Sequence, residues 1–216
     1  MTQYFFSVDV ETSSTNPFTG ELLSLAIIPI RSDTWEILDG KHWALEYNPE
    51  HVDADTVQWW SQQNKEAYEA AWGGLRTPVR EAAAQICGFV CSFAADIHDR
   101  VFCANPASFD WAWVEKLFST TPYNNPFSHR TLCMRNVLYG AQGGKWGNSR
   151  YKEVLVNYPE IPHHAYHDAL AQAKDLVSIM SMVNSVKDAA EIDFTPPVNK
   201  KVYENMNIFD DGHYTS

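Results

Sequence analysis

The sequence predicts one α/β domain, a mixed sheet that begins as an antiparallel meander and is flanked by helices, and three observations predict it. Apolar runs separated by short turn-rich connections fill the first 47 residues. A long segment from residue 77 carries apolar side chains at helical spacing, and a short apolar run at 100–106 stands between two helical segments.

The first strand is expected over 3–10, "QYFFSVDV", and as the most apolar of the set it belongs at the centre of the sheet. Further strands are expected at 22–30, 34–38 and 42–47, separated by "SSTNPFTG", "SD" and "DG". Two short helices follow, one capped by Asp53 or Asp55 and one around 64–72. Residues 77–98 read as one long amphipathic helix, capped by Thr77 with Pro78 at its first position. A buried strand at 100–106 leads into helices over 107–119 and 130–141. A loop with local positive charge, "QGGKWGNSRYK", precedes the last helix, expected over 164 to about 184 with Ala165, Ala169, Ala173, Leu176, Met180 and Val183 inward. Beyond 187 the pattern gives way to a polar tail broken by a double proline.

The chain has 216 residues, 45% hydrophobic and 20% charged, which suits a single substantial core. No apolar run approaches the roughly 18 residues of a membrane-spanning helix, and "MTQYFF" lacks the features of a secretory signal. A cytosolic protein is expected. Its four cysteines, Cys87, Cys91, Cys103 and Cys133, are read as reduced and mostly buried thiols, with a structural zinc as the alternative. The formal charge of −11 argues against a broad phosphate-attracting face, although acids that hold cations create a local positive field once loaded.

Three groups of acids occupy unexpected places. Asp9 and Glu11 end the most apolar strand, and alternation puts them on one face with Phe5 and Ser7, opposite Tyr4, Phe6, Val8 and Val10. Taken alone, the pair reads as solvated or capping acids. Two buried carboxylates side by side would raise each other's proton affinity, and a divalent cation would remove that conflict. Asp110 sits among Phe109, Trp111 and Trp113 at the start of a helix, where an acid is also favoured by the helix dipole. Asp168 follows His163, His164 and His167 in "PHHAYHD". Those histidines read as surface residues, as transition-metal ligands, or as a general base beside a metal-bound carboxylate.

In this order and context, "SVDVET", "PASFDW" and "HHAYHD" resemble the three exonuclease motifs of the DEDD superfamily of 3′-to-5′ exonucleases. Four residues separate His163 from Asp168, as in the DEDDh branch, which uses a catalytic histidine. The segment 56–71, "TVQWWSQQNKEAYEAA", is similar to one in phage exodeoxyribonuclease A-like and related 3′-to-5′ exoribonuclease proteins. Trp59 and Trp60 within it are assigned to core packing ahead of base stacking.

The resemblance spans roughly residues 4 to 184 and implies a ribonuclease H-like sheet, in which parallel strands join the meander, over a domain at 1–186 with a tail at 187–216. It implies two Mg²⁺ or Mn²⁺ ions held by Asp9, Glu11, Asp110 and Asp168, with His163 as general base and His164 as its competitor. Asp9 would bridge the ions and Asp110 would act through bound water. The partner implied is a single-stranded RNA or DNA 3′ end, in a bacterial cell or phage-infected host, without a membrane and with a homodimer as an option by analogy. Lys145, Arg150 and Lys152, with Arg130 and Arg135, are the candidates for steering the nucleic-acid backbone. An endonuclease of the same architecture and a binding module without catalysis are the competing readings.

Overall fold

The computed structural model describes residues 2–141 and 157–190. Among these residues the sheet has five strands in the order β3-β2-β1-β4-β5. They are β1 (Tyr4–Thr12), β2 (Leu22–Arg31), β3 (Lys41–Ala44), β4 (Arg100–Ala104) and β5 (Thr131–Cys133). The first three form the antiparallel meander, while β4 pairs parallel to β1 and β5 parallel to β4. β1 is therefore central, as expected, but β2 beside it is the more apolar strand and is likewise buried on both faces.

Helices cover both faces. On one, β1 presents Phe6, Val8 and Val10 to a core completed by Ala82, Ile86 and Val90 of α3 (Val79–Cys91) and by Trp113, Val114 and Leu117 of α4 (Ala107–Ser119). On the other, Ala26, Ile28 and Ile30 of β2 meet Ala165, Ala169, Ala173 and Leu176 of α6 (Ala165–Ala190), the next helix after α5 (Met134–Ala141) among the described residues. Small side chains let α6 approach β1 closely enough for Ser7 Oγ to donate to the Ala169 carbonyl at 2.9 Å. That close seating brings the first turns of α6 over the end of β1.

The pairing of β1 with β4 stops at Ser7–Cys103, whereas β1 runs on to Thr12. The last residues of β1 thus have a neighbour on the β2 side alone, and a crevice opens where β4 turns into α4. Ligands bind at this kind of crevice in open α/β sheets.

Several expected elements differ. Residues 34–38 contribute one bridge, Ile37 to Ile30, in place of a strand, because Trp35 adopts a left-handed turn with φ 56° that breaks the extended run. The strand expected at 42–47 occupies 41–44, and that at 100–106 ends at Ala104. The long helix begins after Pro78 and stops at Cys91. Thr77 does not cap it but bridges to Leu45. Past Ser92 the backbone carbonyls of Ala94 and Ala95 turn to the guanidinium of Arg100, so helix cannot continue to His98. The helix expected over 130–141 opens instead with β5. The last helix starts at Ala165 and reaches Ala190. Among the cysteines, Cys103 is buried and Cys91 exposed. No helix among the described residues is long and apolar enough to cross a membrane.

Candidate active site

A cleft of about 410 Å³ lies at the crevice, and Asp9, Glu11, Asp110, His163 and Asp168 all line it. Five side chains from three segments of sequence converge there, carried by three elements and one turn. Asp9 and Glu11 come from β1, Asp110 from the first turn of α4, His163 from the turn before α6, and Asp168 from the first turn of α6.

Each acid is fixed by the local fold. Glu11 and Asp110 retain only 8% and 4% exposure. Asp110 Oδ1 accepts from the Val10 backbone N–H at 3.2 Å, a donor that β4 would have occupied had it continued alongside β1. Asp9 Oδ1 accepts from Gln172 Nε2 at 2.6 Å. One carboxylate oxygen from each of Asp9, Glu11 and Asp168 lies within 4.8 Å of the other two. Among the described residues this is the group of three or more such side chains whose ligand atoms gather, and Asp110 stands outside it.

The electrostatics are adverse without a cation. Desolvation, and then the charges of Glu11, Asp110 and Asp168, raise the Asp9 carboxyl well above its ordinary range. Glu11 is raised by desolvation and by Asp168 and Asp110. Burial pushes Asp110 up to about 7 and Asp168 to about 6, against the lowering effect of their backbone hydrogen bonds. Among the described residues lining the cleft there is no lysine or arginine. Asp168 Oδ2 is buried without a hydrogen-bond partner among the described residues. Hard oxygen donors, unneutralised charge and an orphaned carboxylate oxygen together fit a hard divalent cation such as Mg²⁺ or Mn²⁺.

A stability test follows from these shifts. Because folding raises the carboxyl pKa values, the protonation that favours the folded state is complete below about pH 4 and is lost as pH climbs through about 6 for Asp168 and about 7 for Asp110. In chelator, Asp110→Asn is expected to melt higher than wild type by several degrees at pH 8, about 1–3 kcal/mol, and to lose that advantage near pH 5. Thermal melts across that interval check it, and an advantage independent of pH would contradict the electrostatic cause.

The adjacent histidines part company. His163 has φ 63° and its ring meets the Trp59 ring edge-on at 4.8 Å between centroids. Desolvation lowers its pKa. His164 does not line the cleft; its ring packs against His42 and His167, at 5.2 and 4.7 Å, and its Nδ1 accepts from Tyr166 N as a cap on α6. The three histidines of the motif thus face two different environments.

Other residues of the cleft were not expected from sequence. Gln172 and Asp175 follow Asp168 at helical spacing on the same face of α6, and Asp175 is held by Asn157 through two hydrogen bonds of 3.2 and 2.8 Å. Their i+4 and i+7 offsets from Asp168 were the available signal. Trp60 is core, 1% exposed, but Trp59 is 42% exposed and lines a second cleft that shares Val10, Glu11 and Phe109 with the first. The assignment of both tryptophans to the core holds for Trp60 alone. Arg135 Nε donates to Asn105 Oδ1, and Asn105 lines the cleft. Lys145, Arg150 and Lys152 lie outside the described residues.

Comparison with known proteins agrees with this geometry. The "3′-5′ DNA exonuclease Cap18" of Escherichia coli is 23% identical over 192 residues, which cover 88% of this chain and 97% of that protein. The S. pombe Pop2p structure in its Mg²⁺- and Mn²⁺-bound form superposes with a TM-score of 0.62 at 10% identity, covering 82% of each chain. E. coli Exonuclease I, in complex with a dA16 oligonucleotide, gives 0.57 at 14% identity over 87% of this chain and 42% of that one. Both share the fold of DEDD-superfamily 3′-5′ exonucleases. A sequence profile of the 3′-5′ exoribonuclease Rv2179c-like domain matches residues 4–180. With most of its length matched and an acidic cluster suited to cations at its centre, the chain belongs to the Rv2179c-like family of 3′-5′ exoribonuclease domains and is a metal-dependent nuclease.

Proposed function

We propose that the protein removes nucleoside 5′-monophosphates one at a time from single-stranded 3′ ends, using two divalent cations and His163 as general base. The observation that carries this reading is the convergence of Asp9, Glu11, Asp110, Asp168 and His163 on one cleft. Asp9, Glu11 and Asp168 would hold one cation, Asp9 would bridge to a second, and Asp110 would contribute through water. Bound there, the ions would acidify an attacking water and offset charge on the leaving oxygen.

His163 takes the proton of the attacking water as its oxygen bonds to phosphorus. The P–O bond to the penultimate 3′ oxygen breaks and that oxygen takes a proton from solvent water, leaving a new 3′ hydroxyl and a free 5′-monophosphate. A histidine suits the task because its pKa lies near neutrality, and partial desolvation keeps the ring neutral and able to accept. Trp59, exposed beside the acids, offers a face on which a base can stack, and Tyr158, 80% exposed at the cleft, offers another. An enzyme that grips terminal nucleotides this way needs no broad basic surface, in keeping with the net charge of −11.

Matched single-stranded RNA and DNA labelled at the 5′ end, incubated with Mg²⁺, Mn²⁺ or chelator, test the proposal. A ladder shortening from the 3′ end, abolished by chelator, is expected. Discrete internal cuts would indicate an endonuclease, and intact substrate under all conditions a binding module. The relative rates of the two arms assign the sugar, on which the name of the matched family and that of Cap18 differ.

A further inference from the structure

Gln172 is 9% exposed and sits one turn beyond Asp168 on the face of α6 that closes the cleft. Its Nε2 donates to Asp9 Oδ1 at 2.6 Å. The orientation of the amide follows from chemistry, since a carboxylate accepts only and so requires the donor end toward it. The carbonyl end is thereby turned elsewhere, and Gln172 Oε1 is buried with no partner among the described residues. A buried acceptor left open beside an acidic cleft calls for a hydrogen donor. Mg²⁺ and Mn²⁺ retain part of their hydration shell when held by carboxylates, and those waters are strong donors.

We propose that Gln172 is a positioning residue of the cation site, its amide N–H fixing the Asp9 carboxylate and its carbonyl receiving a water of the cation's hydration shell. The inference rests on the two-cation reading above and adds a residue to it. Asp9 is the acid with the most to gain from such support, because a bridging carboxylate must keep both oxygens in a set plane. Without the amide, Asp9 is free to rotate toward another partner. Residues that orient metal ligands typically account for about 10–100-fold in metal affinity.

The test is Mn²⁺ binding measured by calorimetry on wild type, Gln172→Met and Gln172→Leu, with the exposed neighbour Lys174→Ala as control. Methionine matches glutamine in length and helix propensity, so it preserves the seat of α6 if leucine does not. Mn²⁺ affinity is expected to fall about tenfold or more in the Gln172 variants and to stay unchanged in the control. In turnover, the Mn²⁺ concentration for half-maximal rate is expected to rise by more than the rate at saturating Mn²⁺ falls, a split that a loss of folded protein would not give. Equal Mn²⁺ affinity in wild type and both variants overturns this inference alone. Absence of Mn²⁺ binding by wild type overturns it together with the functional reading.

Discussion

Asp168→Ala and Asp9→Ala are each expected to reduce cation-dependent trimming of 3′ ends by about a thousandfold or more, as loss of several kcal/mol of charge stabilisation demands. The two acids reach the cleft from different elements, one from β1 and the other from α6, so no single local disturbance explains both losses. Neither change should unfold the protein. Each removes a carboxyl whose pKa is raised on folding, so the metal-free variants are expected to melt at or above the wild-type temperature at pH 8. Activity and stability then move in opposite directions, which separates a ligand from a structural residue. Trimming within tenfold of wild type in either variant would remove that acid from the cation site.

Much of this site was legible because period and context agreed. Alternation along β1 put Asp9 and Glu11 on the face of Ser7, and the structure sends that face to α6, where Ser7 meets Ala169 and Asp9 meets Gln172. The meander was legible from short connections between apolar runs. What was missed depended on partners distant in sequence. The "TLC" of β5 has no local signal that distinguishes it from the helix it leads into; its strand character comes from pairing with β4. The end of α3 depends on Arg100 claiming the carbonyls of Ala94 and Ala95. Consecutive helical residues point about 100° apart, and the short polar run "TVQWWSQQ" holds too few apolar neighbours to show which of Trp59 and Trp60 turns into the core. Gln172 carries no signal of its own, because the alanine and leucine positions define the inner face of α6 and its partner, Asp9, lies 163 residues away in sequence.

His163→Ala is expected to lower turnover by about 10²–10⁴-fold, the usual contribution of a positioned general base, while His164→Ala leaves it within a few-fold of wild type. The reason lies in one backbone angle. A left-handed φ of 63° is sparsely populated for residues other than glycine, and it turns the chain so that His163 enters the cleft while His164 turns back onto His42 and His167. The cap from His164 Nδ1 to Tyr166 N predicts the opposite effect on stability: His164→Ala should cost about 1 kcal/mol, read as a lower melting temperature. His163→Asn is the cleaner probe of chemistry, because asparagine tolerates the left-handed turn yet cannot accept the proton. With His163 as base, the rate rises with pH through a pKa set below the ordinary 6.5 by desolvation. That acid limb should vanish in His163→Asn and persist in His164→Ala. Its survival in His163→Asn would move the limb to the carboxylates, and equal losses from the two alanine variants would reject His163 as the base.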